Sequence, residues 1–232
     1  MVGIFDSGIG GLSVLRNLQV ALPKESFIYV GDIANMPYGN KADEKVAQRA
    51  LSIAQTLIEM GCTCIIPACN TVMAVANKKL AQLMPIIPVY NIVETTREIL
   101  YSLDKLGKVA VLATQQTVNS GKFRNAFACP NLAEAIEHGD TELVKKQVKE
   151  AEQRTEKFSY LALACTHYVL VEREFTKPTI NPTLMFSGTI KSKIKQKGGE
   201  RTVLYFTKIT KQANQMIEKL RIRYERKETI CV

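Results

Sequence analysis

No stretch of this 232-residue chain approaches the ~20 consecutive apolar residues a membrane span needs. Its first residues, MVGIFDSGIGG, lack the basic segment that opens a signal peptide, and Asp6 interrupts the early apolar run. A cytoplasmic protein is expected, with its six cysteines as thiols rather than disulfides. There is no G-x-G-x-x-G and no Walker sequence. The glycines of DSGIGG (Gly8, Gly10, Gly11) therefore match no nucleotide fingerprint, although such a loop can offer backbone N–H groups to a small anion such as a carboxylate. Without that fingerprint, Asp32 after the strand SFIYV is a poor candidate for a ribose-binding acid. The C-x2-C spacing of zinc knuckles is also missing, although Cys62, Cys64 and Cys69 lie close in sequence. Histidine is scarce. His138 reads as a surface residue, and His167 follows Cys165 by two positions, where it is placed to tune that thiol.

What the chain does have is alternation. VGIF, SFIYV, CTCII and IIPVYNI read as strands, and helical patterns lie between them at 10–22, 42–61 and 70–84. After a helix at 94–103, KVAVLA opens a second series, with helices near 119–127 and at 141–156 and a strand at FSYLALA. Short apolar runs separated by helices indicate βαβ units and parallel sheets. A weak repeat follows: GIFDSGIGG…IIPACNT in the first half, AVLATQQTVNSG…LALACTH in the second. Each half ends a buried strand in Ala-Cys followed by polar residues. Ligands of open α/β sheets bind beyond the carboxyl ends of the strands, so the two halves can place a thiol on each side of a shared cleft. The competing reading is that two unrelated strands each end in cysteine, a residue type that is often buried.

The net charge of +9 is concentrated late, because residues 191–227 hold 12 Lys/Arg and 3 Glu. Ile209, Ala213, Met216, Ile217, Leu220 and Tyr224 form a helical stripe there. One reading is a helix with a solvated basic face; the other is a surface for an acidic or nucleic-acid partner. No aromatic interleaving favours nucleic acid.

Five stretches, GIFDSGIGGLSVL, YVGDIANMPYG, ACNT, ATQQTVNSGKF and ACTHYVLV, occur in the order and at about the spacings of bacterial glutamate racemases. The chain resembles that family, within the cofactor-independent aspartate/glutamate racemase superfamily, from residue 3 to about 190. The resemblance implies an α/β fold: two similar domains with mainly parallel sheets flanked by helices, facing across a cleft. We expect residues 1–93 plus 184–232 to form the first domain, completed by basic C-terminal helices, and 94–183 the second. It also implies interconversion of L- and D-glutamate for peptidoglycan synthesis, with no pyridoxal phosphate, metal or nucleotide cofactor; a homodimer is expected.

Carried over by motif, Cys69 resembles the base acting on D-glutamate and Cys165 the base acting on L-glutamate. Asp6 and His167 resemble their assisting neighbours. Glu137 matches a further carboxylate, with Glu134 as the competing choice. Ser7, Pro37, Tyr38, Gly39, Asn70, Thr71, Thr114, Thr117 and Thr166 match substrate-binding positions, although Asn70, Thr71 and Thr166 also suit helix capping. The chain departs from the family pattern at Val72 and Met73 after CNT, at Val169 after CTHY, and at Phe186 before Ser187-Gly188. An aspartate or broad-specificity amino-acid racemase, or a binding or inhibitory protein that retained the fold, are the alternatives.

Overall fold

A computed structural model describes residues 1–83, 85–104, 107–194 and 198–232. The first run is β1 (Val2–Asp6), α1 (Leu12–Ala21), β2 (Phe27–Gly31), α2 (Asp43–Glu59), β3 (Cys64–Pro67), α3 (Asn70–Val75) and α4 (Asn77–Ala81). Next, α5 (Ile92–Leu103) leads into β4 (Val109–Ala113), α6 (Gln115–Asn119), β5 (Ala126–Ala128), α7 (Leu132–His138), α8 (Thr141–Arg154), β6 (Tyr160–Leu163) and β7 (Thr179–Ile180). The chain then returns through α9 (Pro182–Lys191) to β8 (Thr202–Phe206), α10 (Lys211–Lys219) and β9 (Arg226–Thr229).

These strands build two parallel sheets flanked by helices, ordered β3-β1-β2-β8-β9 and β5-β4-β6-β7. Strands β1, β2, β3 and β4 are buried at every position, which is why they read as apolar runs rather than as alternating ones. The edge strands β5, β7 and β9 are short and partly exposed. In each sheet the order reverses about the first strand. β2 and β3 lie on opposite sides of β1, and β5 and β6 on opposite sides of β4. Ligand crevices of open α/β sheets form at such reversals. Here Asp6 ends β1 beside β3, which runs on to Cys69, while Thr114 follows β4 beside β6, which runs on to Cys165.

The helices follow from local sequence. α2 carries Asp43 and Glu44 in its first turn, where they face the positive end of the helix dipole. It buries Val46, Ala50, Ile53 and Leu57, and the chain leaves it through Gly61 at φ +83°. Asn91, Asp140, Asn181 and Thr210 cap α5, α8, α9 and α10 by accepting backbone N–H bonds. Residues 93 and 184, where we expected the chain to cross between domains, fall just inside α5 and α9, which pack against each other.

Several expectations need correction. IIPVYNI forms no strand, only a bridge between Ile65 and Val89, because Pro88 has no N–H for a ladder and Asn91 already caps α5. The helix expected over 70–84 breaks at Ala76 into α3 and α4, and residue 84 lies outside the described residues. No helix covers 119–127: α6 stops at Asn119, Gly121 adopts φ +66°, and Ala126–Ala128 form β5. The basic C-terminal segment is not purely helical. TVLYF, apolar and β-branched or aromatic, inserts as β8 beside β2, and only Ala213, Met216 and Ile217 of the expected stripe are buried on α10. Lys195 and Lys197 lie outside the described residues.

β8 thus joins the C-terminal segment to the first core. Phe206 is fully buried, its ring 5.8 Å from that of Tyr29 and pressed on Gly31, where a Cβ would stand 2.7 Å from the Phe206 ring. Phe206→Ala is expected to lower the unfolding free energy by about 3–5 kcal/mol in a urea titration. A loss below about 1 kcal/mol would show that the ring leaves no lasting cavity.

Candidate active site

Cys69 directly follows β3 at the N-cap position of α3, and its Sγ lies 3.7 Å from Ser7 Oγ. Cys165 follows β6 and is succeeded by Thr166 and His167 at the entrance to a 3-10 stretch. Both thiols line one cavity, together with Ser7, Pro37, Tyr38, Gly39, Asn70, Thr71, Thr114, Thr166 and His167. Asp6, Glu137 and Thr117 stand behind its wall: Thr117 touches it only through Thr114 Oγ1 at 3.0 Å. Met36, Asn40, Pro130 and Ala133 also line the cavity, and no sequence feature marked them. The enclosed space is about 20 Å³, room for one water. A larger concavity of about 910 Å³ lies beside α5, with Arg97, Tyr101, Lys122 and Arg124 on its wall, and it contains neither thiol.

The cavity is closed by bonds between the two sheets. Thr71 and Thr114 share a hydroxyl bond of 2.8 Å, Thr166 donates to Asp6 at 3.1 Å, and the Ile9 N–H donates to Glu137 at 2.9 Å. The glycine loop makes this approach possible. A Cβ on Gly8 would stand 2.3 Å from Glu137 Oε2, and one on Gly10 would stand 2.5 Å from Thr166 Oγ1 and 2.8 Å from the His167 backbone nitrogen. The loop's N–H groups do hold carboxylates, those of Asp6 (from Gly8, 3.0 Å) and Glu137. Capping is not the task of Asn70, Thr71 or Thr166. Thr71 and Thr166 spend their hydroxyls across the cleft, and among the described residues Asn70 Oδ1 is buried without a hydrogen-bond partner. Thr114 caps α6 instead.

Of the two candidate carboxylates, Glu137 is the one at the site. It is buried and 2.7 Å from His167 Nε2, whereas Glu134 sits on the first turn of α7. His138 is exposed, as expected. Cys62 and Cys64 lie at the opposite end of the first sheet from Cys69, with Cys62 against Gly3. Among the described residues, no group of three His, Cys, Asp or Glu is placed to hold a metal ion.

The two thiols have different electrostatic surroundings. Burial, reinforced by the Asp6 carboxylate, pushes Cys69 up to about 12. Burial also raises Asp6, against the opposing pull of His167 and of hydrogen bonds from Gly8 and Thr166. Burial works against charge on His167, but its hydrogen bonds with Cys165 and Glu137 overcome it and hold the imidazole well above its ordinary value. The arrangement sets an acid beside one thiol and a held imidazolium beside the other, in a space nearly free of water. Such a site can take a proton from one side of a small molecule and return one from the other.

The Asp/Glu/Hydantoin racemase family model matches residues 3–186. The chain belongs to this family. It is 38% identical over 185 residues to a glutamate racemase of Methylococcus capsulatus, covering 72% of this chain and 67% of that protein. It is 30% identical to that of Aquifex aeolicus, covering 94% of this chain and 92% of that protein. The fold superposes on the glutamate racemase of Francisella tularensis, solved in complex with D-glutamate, with a TM-score of 0.86 at 29% identity, covering 99% of this chain and 97% of that one.

Two predictions follow from the closed family cleft. Gly10→Ala wedges the His167 backbone away, so both buried thiols should be alkylated by iodoacetamide at least about tenfold faster, read by peptide mass mapping. Unchanged protection would mean that the loop yields without opening. The second concerns pH. The His167 pKa is raised on folding, so its contribution is complete below about 6.5 and is lost as pH rises toward the folded value. Between about pH 6.5 and 8.5, below the thiol range, stability should fall by at most about 1.4 kcal/mol per pH unit. That slope should largely disappear in His167→Gln, measured by urea unfolding across the window.

Proposed function

We propose that this protein interconverts L- and D-glutamate by a cofactor-independent, two-thiol mechanism and supplies D-glutamate for peptidoglycan synthesis. The observation that carries the reading is the pair Cys69 and Cys165, each at the strand-order reversal of its own sheet and both lining one closed polar cavity. Relatives named glutamate racemase, and a neighbour of the same fold solved with D-glutamate, support glutamate as the substrate. We take residues 1–93 plus 184–232 as one domain and 94–183 as the other, a division supported by the separate sheets.

The chemistry runs on proton position. As a thiolate, Cys69 removes the α-proton of D-glutamate while Cys165, as a thiol, delivers a proton to the opposite face. From L-glutamate the roles exchange. A free thiol has a pKa of ~8.5, but burial pushes Cys69 up to about 12, so reaching its thiolate relies on transfer of its proton to a neighbour. Asp6 couples electrostatically to Cys69, and His167, steadied by Glu137, hydrogen-bonds Cys165. Each thiol thereby has a neighbour through which its proton can be exchanged. The unpartnered Asn70 Oδ1 and the Ser7 hydroxyl suit the α-ammonium. Thr71, Thr114, Thr117 and Thr166, with the turn carrying Pro37, Tyr38 and Gly39, are assigned to the two carboxylates. The 20 Å³ cavity cannot admit glutamate, so the sheets part to load it and close to expel water.

Among the described residues no helix is long and apolar enough to cross a membrane. A cytoplasmic location and a homodimer complete the proposal, supported by the resemblance rather than by contacts. The basic C-terminal segment is read as a folding element: β8 sits inside the first sheet, and Arg201 and Arg226 pair with Glu225 and Glu228.

The decisive experiment combines α-proton exchange in deuterated water with two variants. The wild type should exchange and racemise glutamate after chelation and without pyridoxal phosphate, with D-aspartate slower in the same assay. Cys69→Ser and Cys165→Ser should lose racemisation by several orders of magnitude, because a serine hydroxyl is a far weaker base. With a β-halogenated glutamate, elimination needs only proton abstraction. Cys165→Ser should then still eliminate from the D-analogue, and Cys69→Ser from the L-analogue. If both variants processed the same enantiomer equally, the assignment of one thiol to each face would fail.

A further inference from the structure

Asp32 follows β2 and is fully buried, and its backbone N–H donates to the Asp6 carbonyl at 2.9 Å. Its carboxylate accepts four hydrogen bonds. Tyr38 Oη donates to Oδ2 at 2.6 Å and Asn35 Nδ2 to Oδ1 at 2.9 Å. Arg49, on α2, donates in bidentate fashion, Nε to Oδ2 at 3.0 Å and Nη2 to Oδ1 at 2.9 Å. The remaining Arg49 donor, Nη1, reaches the Val232 carbonyl, so the segment that follows β9 also supports the guanidinium. Burial pushes the Asp32 carboxyl up, but the bonds from Arg49, Tyr38 and Asn35 outweigh it and hold the group below its ordinary value.

The beneficiary is the single 3-10 turn Tyr38–Asn40, which lines the cavity. Tyr38 is itself buried, so its hydroxyl has no water to fall back on and Asp32 is its partner. From the other side the turn rests on the second sheet. A Cβ on Gly39 would lie 3.2 Å from Thr114 Cβ, and Gln116 Nε2 donates to the Lys41 carbonyl at 3.0 Å. The turn has no apolar anchor of its own beyond the Tyr38 ring, and a three-residue turn is not rigid alone.

We infer that Asp32 and Arg49 are positioning residues: this partly buried ion pair fixes the Tyr38–Asn40 turn in the shape that receives the substrate, without touching the substrate or exchanging its protons. The inference rests on the proposed glutamate racemisation. A turn that holds groups not undergoing transfer contributes equally to ground state and transition state, so its loss raises KM and leaves kcat nearly unchanged. A merely structural role predicts otherwise, because a reduced folded fraction lowers the number of working sites and leaves KM alone.

The test uses Asp32→Asn, Arg49→Ala and Arg49→Lys in the full chain. Racemisation of D-glutamate and its calorimetric binding are measured on the same samples. The expected result is a KM and dissociation constant raised at least tenfold in Asp32→Asn and Arg49→Ala, with kcat within threefold and the pH profile of kcat unmoved. Arg49→Lys should recover only part of the loss, because an ammonium keeps the charge but not the fork. If Arg49→Ala does not fold, the other two variants carry the same ordering. With an active wild type, a KM within twofold of it in folded Asp32→Asn overturns the inference, as does a shifted pH profile of kcat, which would make Asp32 a proton-transfer group. A wild type that neither binds nor racemises glutamate removes the functional reading itself, and the inference with it.

Discussion

The structure depends on making a dry space between two sheets tolerable to charge. Asp6, Glu137 and His167 are buried in it with two thiols, and burying any one of these groups charged and alone would cost several kcal/mol. They are instead spread over both halves, and Asp6 and Glu137 each gain a further partner when the halves meet. Glu137 is held at Oε2 by His167 from its own half and by the Ile9 N–H from the other, and Asp6 by Gly8 from its own half and by Thr166 from across the cleft. Closure and charge compensation are therefore one event. The glycine loop is the geometric condition for both, because side chains at Gly8 or Gly10 would occupy the positions of Glu137 and Thr166.

That coupling explains why the thiols can be chemically alike and electrostatically unlike. Burial, reinforced by the Asp6 carboxylate, drives Cys69 toward its neutral form, while Cys165 hydrogen-bonds an imidazole held toward its charged form. In the two-thiol mechanism proposed above, the enzyme's two forms differ only in which sulfur carries the proton. In that mechanism, neighbours that accept a proton on one side and donate one on the other would let the resting enzyme move between those forms without rebuilding the site. The same neighbours would be of little use in an open, wet cleft, where water screens them.

Much of this was legible in the sequence, for a physical reason. Strands buried on both faces must be continuous apolar runs, and parallel sheets place function at their carboxyl ends. Two such runs ending in Ala-Cys therefore located both thiols and, through the resemblance, their neighbours. The structure brings those residues into one cavity wall or directly behind it. What stayed hidden depends on tertiary partners. TVLYF joins the first sheet as β8, yet amid Lys and Arg it was passed over for the helical stripe beside it. The apolar run IIPVYNI is a strand by composition, but Pro88 removes a donor and the chain is already committed to the cap of α5. Asp32 looked like a failed nucleotide-binding acid because its partners, Arg49 and Tyr38, are brought to it only by folding.

The departures from the family pattern show where such a fold tolerates change. Val72, Met73 and Phe186 are all fully or nearly fully buried, and none lines the cavity. They exchange one packing solution for another on the far sides of α3 and α9, where volume and apolarity are what the core requires. The cavity wall has no such latitude. Thr71, Thr114 and Thr166 commit their hydroxyls to partners across the cleft, while among the described residues Asn70 Oδ1 has no partner. An unpaired buried acceptor is costly, and a fold retains one where a ligand completes it. The Asn70 oxygen, set beside Cys69 at the start of α3, is one such acceptor at the cavity wall, where the proposed function gives it the α-ammonium as its partner.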